Sequence, residues 1–259
     1  MNVRKLLKIT ALITVIGSGN AWADSPISQD QQQAFTPDEV LSELMAGNAR
    51  FVAGQPTHKD VTARIAKSAS GQFPKAVILS CLDSRVPVEK VFDVSIGDIF
   101  VGRNAGNLSN PDQLGSMEFA TAVSGAKVVM VLGHTACGAV AGAIAEAKLG
   151  NLTQLLQRIQ PVSLTVDGFS DDDRVSTNSA FVNAVADQSV LNTLEAIRRD
   201  SAVVADLEKS SDIKIVGAGY DHETGRVERT DYPRQRNRVN GTWKWARSRS
   251  LRRKKTHGT

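Results

Sequence analysis

The chain has 259 residues, 41% hydrophobic and 22% charged, an ordinary globular composition long enough to bury a core without staples. Its formal net charge of +4 resides at the ends: residues 232–259 hold ten Lys or Arg and no acid, and residues 1–23 hold three bases and no acid. Residues 24–231 are left with 18 bases against 27 acids, so the body lacks the basic face that phosphate backbones require, and nucleic-acid binding by it is disfavoured.

In chain order, residues 1–23 read as a secretory signal. Arg4, Lys5 and Lys8 precede an apolar stretch from Ile9 to Ile16, and Ala21-Trp22-Ala23 offers a cleavage site after Ala23. That stretch is shorter than the roughly 18 residues of a membrane span, so export to the periplasm is expected, with no stable membrane association after cleavage. Residues 24–35 are Gln-rich and are expected to form a flexible lead. Thr36-Pro37-Asp38-Glu39 is a helix start, followed by Val40, Leu41, Leu44, Met45 and Ala49 at helical spacing up to Gly54.

Four short apolar runs follow, at 75–80, 98–102, 127–133 and 213–218. Most are near-continuous rather than alternating, as in strands covered on both faces. Helical patterns at 113–123, 139–148 and 178–199 separate them, which predicts an α/β fold: a mostly parallel central sheet flanked by helices. Asp167-Gly168 and Asp171-Asp172-Asp173 read as a solvated loop, without the spacing of a calcium loop. From Tyr232 the composition changes abruptly. This basic tail, 232–259, is expected to be disordered or an artefact such as an out-of-frame translation, leaving 36–231 as the folded domain.

Two motifs carry chemistry, Cys81-Leu82-Asp83-Ser84-Arg85 and His134-Thr135-Ala136-Cys137-Gly138. In an exported protein, two cysteines on count alone suggest a disulfide. Each motif, however, follows a predicted buried strand, and ligand sites of parallel sheets lie beyond the carboxyl ends of the strands. Cys81, His134 and Cys137 together form a three-ligand zinc set that keeps a fourth position open. A disulfide or two unpaired core cysteines remain the other readings. Asp83 lies close enough to act on the open position or to become a fourth ligand and close the site. A bidentate pair with Arg85 would hold it off the metal and keep it ionised. Arg103 is read equally as a site residue or a member of a core ion pair. His58 and His222 are read as exposed surface histidines, with a proton-shuttle role for His222 as the alternative, Gly138 as the residue permitting a tight turn into the next helix, and the glycines of 102–107 as no phosphate loop, since no G-K-[ST] follows.

At these residues the chain resembles the β-class carbonic anhydrases. Ser80 to Pro87 is similar to that family's first zinc motif and Gly133 to Gly138 to its second. Residues 97–107 are similar to the segment lining the site, 47–52 to the amino-terminal helix and 216–225 to the last core strand and turn. The likeness spans roughly 36–230. It implies a parallel-sheet α/β fold, Zn2+ on Cys81, His134 and Cys137, Asp83 and Arg85 as the pair beside the metal, and reversible hydration of CO2 to bicarbonate and a proton. It also implies a homodimer or homotetramer. Members that close the site with the aspartate carry a Trp three residues before the first Cys; Ile78 stands there, which favours the open form. Hydrolysis of a related small molecule such as carbon disulfide, or a non-catalytic zinc-binding or disulfide-bonded periplasmic protein, are the alternatives.

Overall fold

The computed structural model describes residues 25–230 and the backbone of two short strands further on, Arg236–Val239 and Thr242–Trp245. Its centre is a five-stranded sheet of order β2-β1-β3-β4-β5. The strands are β1 (Ala76–Cys81), β2 (Ile99–Asn104), β3 (Val128–His134), β4 (Lys214–Tyr220) and β5 (Val227–Arg229). The first four are parallel, and only β5 returns antiparallel to β4. The β1–β3 register sets Ser80 beside Leu132, and the β3–β4 register sets His134 beside Tyr220.

Every residue of β1 and β3 is buried. Alternation within these runs serves two faces. Ile78, Met130, Leu132 and Val216 pack against Val40, Leu41 and Leu44 of helix α2 and Val88 and Val91 of α4. Val77, Leu79, Val129, Val131 and Ile215 pack against Met117 of α5, Val190, Leu194 and Ile197 of α8, and Val204 of α9. These helices are α2 (Pro37–Val52), α4 (Val88–Val91), α5 (Pro111–Glu118), α8 (Ser179–Asp200) and α9 (Ala202–Lys209). Each fully buried side chain of this kind contributes roughly 1.5–3 kcal/mol. Double coverage is thus why the runs read as continuous.

Local signals set the ends of α2. Thr36 Oγ1 accepts from the Glu39 N–H at 3.3 Å while Glu39 Oε2 accepts from the Thr36 N–H at 2.8 Å, a reciprocal capping box with Pro37 in the first turn. Two glycines allow close approaches: a Cβ on Gly47 would lie 1.9 Å from the Phe92 carbonyl oxygen, and one on Gly133 would lie 2.6 Å from Val190 of α8.

Three further helices are α3 (Val61–Ser68), α6 (Gly138–Ile144) and α7 (Gly150–Thr165). The α6 and α7 helices pack with α8 around Leu156, Ile159, Val140 and Phe181, a cluster that also holds Cys81 and Cys137.

The expected flexible lead is corrected. Residues 29–34 form helix α1 (Gln29–Ala34), started by a Ser28–Gln31 capping box. Gln32 is only 3% exposed, and its amide nitrogen donates to the carbonyls of Pro74 and Ser124, both at 2.7 Å. A Gln-rich stretch is polar in composition, but one buried amide with two carbonyl partners is enough to dock it. In the tail, β6 (Arg236–Val239) and β7 (Thr242–Trp245) pair with each other, apart from the main sheet. The expected signal segment and the remaining tail residues lie outside the described residues.

Candidate metal centre

The two motifs meet because β1 and β3 are neighbours and end at the same edge. Cys81 is the last residue of β1 and His134 the last of β3. Beyond His134 the chain turns through Ala136, which takes a left-handed φ of 51°, and Cys137 then caps α6. Gly138, expected to permit the tight turn, opens the helix itself, and the left-handed residue of the turn is Ala136. Asn183 of α8 stabilises this strained turn, its Oδ1 accepting from the Ala136 N–H at 2.8 Å. The ligand atoms of Cys81, His134 and Cys137 all lie within 4.8 Å of one another, and all three residues are buried. Both thiols are free.

The two thiols act on each other's acidity. The hydrogen bond from Cys137 pushes the Cys81 thiol down to about 4 against its burial, helped by His134 and by the Gly106 N–H at 3.4 Å from its sulfur. The same bond and burial push Cys137 up. One thiolate and one thiol so disposed are what a soft divalent cation converts into two thiolates.

The imidazole is oriented for the same purpose. The Thr135 carbonyl can only accept, so His134 Nδ1, 2.9 Å away, carries a proton, and in the neutral ring Nε2 keeps a lone pair. Nε2 is buried and has no hydrogen-bond partner. A fixed Nδ1–H with an orphaned Nε2 facing two sulfurs is the pattern of a histidine prepared for a metal. The chain therefore fits a metal at this point.

Asp83 and Arg85 pair as two parallel bonds, Nε to Oδ1 at 3.0 Å and a terminal nitrogen to Oδ2 at 2.8 Å, with the Arg85 N–H adding a third to Oδ1 at 2.9 Å. The Arg85 guanidinium holds the Asp83 carboxyl well below the usual carboxylate range, against a smaller opposing effect of burial. Asp83 Oδ2 stands 3.9 Å from His134 Nε2, so the carboxylate borders the centre without bonding to the ring. Arg103 is resolved too. It donates to the carbonyls of Cys81 at 2.9 Å and Asp83 at 2.6 Å, bracing the loop between ligand and carboxylate rather than joining a core ion pair.

His222 departs from expectation. Its side chain is 12% exposed and lies over the centre, its ring 4.9 Å from that of His134 and its Nε2 3.8 Å from Asp83 Oδ1. Burial, then the neighbouring His134 and Arg85, hold it below the usual imidazole range. The sequence signal for it was its position, just past β4 at the edge where Cys81 and His134 emerge.

Fold and site together define a mostly parallel α/β protein with Cys81, His134 and Cys137 clustered at the carboxyl edge of its sheet. The family model described as carbonic anhydrase matches residues 76–227. The chain is 34% identical over 204 residues to carbonic anhydrase 2 of Mycobacterium tuberculosis, covering 76% of this chain and 94% of that protein. It is 36% identical over 198 residues to a carbonic anhydrase of Mycolicibacterium smegmatis, covering 74% and 92%. Among solved structures, a tetrameric β-carbonic anhydrase of Sordaria macrospora superposes with a TM-score of 0.60 at 22% identity, covering 75% of this chain and 96% of that one. A β-carbonic anhydrase of Aspergillus fumigatus superposes with a TM-score of 0.58 at 25% identity, covering 75% and 90%. The chain belongs to the carbonic anhydrases, in their β class.

Proposed function

We propose that the chain hydrates CO2 reversibly to bicarbonate and a proton, with zinc held by Cys81, His134 and Cys137. The observation that carries this reading is the orphaned His134 Nε2 clustered with two buried thiols, all within 4.8 Å of one another. Zinc, when bound, supplies the Lewis acidity that makes water a nucleophile near neutral pH; two thiolates temper that acidity relative to three neutral histidines.

The chain's own residues do the rest. Hydration joins a water oxygen to the carbon of CO2 and releases one proton. Asp83, ionised by its pair with Arg85, accepts a hydrogen bond from the attacking water and fixes its orientation. A carboxyl held so low is a poor resting place for the proton, so Asp83 orients more than it carries. Arg85 also keeps Asp83 from ligating the metal, which supports the open site, and Arg103 holds the loop that spaces Asp83 from Cys81. Stopped-flow CO2 hydration with metal analysis tests the reading. One zinc per chain and activity abolished in Cys137→Ala support it; a metal-free protein with a Cys81–Cys137 disulfide overturns it.

Export to the periplasm is proposed on the leader-like residues 1–23, and amino-terminal sequencing of the mature protein checks it. Among the described residues no helix is long and apolar enough to cross a membrane. A homodimer or homotetramer is proposed on the open edge of β2, on exposed Leu82 and Phe119, and on the tetrameric assembly of the Sordaria macrospora relatives. Light scattering on the eluting protein distinguishes these from a monomer.

A further inference from the structure

His222 has no place in the reaction as described, yet it is built into the centre. Its backbone N–H donates to Thr135 Oγ1 at 3.1 Å, and its ring packs edge-on against His134 and against Tyr220, with centroids 4.9 and 5.4 Å away. Both ring nitrogens are buried and neither has a partner. A neutral imidazole carries one N–H donor and one acceptor, and burying them unmet is costly enough that a ligand atom is the natural complement.

The geometry says what kind of atom that is. Nε2 stands 3.8 Å from Asp83 Oδ1, too far for a direct hydrogen bond and near enough for one intervening atom to touch both. Asp83, ionised by its pair with Arg85, can only accept, and with its proton on Nε2 the His222 ring donates. An oxygen between them then accepts one hydrogen bond and donates another, as a hydroxyl or a water does. Bicarbonate carries one hydroxyl, and CO2 carries none.

We propose that His222 is a binding residue for bicarbonate: with Asp83 it forms a subsite that reads the hydroxyl of the product, which is also the substrate of the reverse reaction. The inference rests on the CO2-hydration reading above. Water can make the same two bonds, so what the His222 N–H adds is read by removing it, a loss of one hydrogen bond to bicarbonate worth a factor of about 5 to 10 in affinity.

The test uses the zinc-loaded full chain and two planar monoanions, bicarbonate and nitrate, of which only the first has a hydroxyl. Both are titrated calorimetrically at one pH into wild type, His222→Phe and His222→Gln. In His222→Phe, bicarbonate is expected to weaken about 5- to 10-fold and nitrate by less than about twofold. His222→Gln, which keeps an N–H, is expected to recover part of the loss. His222→Ala replaces the Phe variant if that one does not load zinc. Equal weakening of both anions, or no weakening of either, overturns the proposal. Zinc content and hydration rate of the wild type are read in parallel. Their absence defeats the functional reading itself, whereas an active wild type with an unselective His222→Phe defeats only the role of His222.

Discussion

At the amino edge of the sheet, Gln32 donates to Pro74 and Ser124, and Arg64 donates to the carbonyls of Ser25 and Ile96 and to the Asp98 carboxylate. Asp93, in the crossover leading to β2, takes Arg50 at 2.5 Å, Lys59 at 2.7 Å and the Thr57 hydroxyl at 2.8 Å. At the carboxyl edge, His134 Nε2, both nitrogens of His222 and the Asn107 amide nitrogen are buried without partners. Hydroxyls of Ser80, Ser189 and Thr230 are unmatched too, but among the described residues every unmatched buried nitrogen lies at the carboxyl edge, whereas these amino-edge groups are matched within the chain. Unmatched buried groups are costly, so their concentration at one edge marks where ligands complete the structure. The difference also teaches how to separate stability from function: substitutions at the amino edge should move unfolding and leave metal content alone, and substitutions at the carboxyl edge should do the reverse.

The largest effect expected is at the carboxyl edge. Cys137→Ala removes one of three ligands, and zinc content and stopped-flow hydration should both fall to background. Arg85→Ala should cost roughly 10- to 100-fold in hydration, as losses of groups that orient a metal site do. With its restraint gone, Asp83 should turn onto the metal, and X-ray absorption should show an additional oxygen ligand; unchanged coordination would break the assignment of Arg85.

The amino edge offers two smaller tests. The hydrogen bonds from Lys59, Arg50 and Thr57 outweigh burial and hold Asp93 at about 2. The unfolded value is higher, about 3.9, so this pair of states contributes about 2 kcal/mol of stability. That contribution is present above about pH 4 and is lost as the pH falls through about 2. Asp93→Asn should therefore lower stability to denaturant at pH 7 by about this amount, and the gap to wild type should close between pH 4 and pH 2. Gln32→Ala should cost about 1–2 kcal/mol by leaving two carbonyls unmet, with zinc content unchanged. A loss of zinc in either variant would erase the distinction between the edges.

What could be read before the fold was known follows the same division. β1, β3 and β4 were legible because residues buried on two faces leave a compact apolar run. The ligand residues were legible because each motif sits at the end of such a run. Helix α7 was not: it starts after Leu149 with no side-chain cap and carries Pro161 inside, so neither its start nor its body signals helix. Docking of α1 depends on carbonyls 42 and 92 residues away from Gln32, which no local pattern reports. His222 reads as any histidine on a turn until β4 is placed beside β3. Arg103 was half legible, because an arginine bonded to two carbonyls has no acidic partner in the sequence to point to it.

The ligands of the centre come from strands that are neighbours in space and distant along the chain, with β2, α5 and their loops between them. Closing that long loop precedes any meeting of Cys81 with His134 and Cys137. If zinc takes all three residues, a complete centre waits on β1–β3 pairing, and the rate at which a refolding chain completes it becomes a clock for assembly of the sheet.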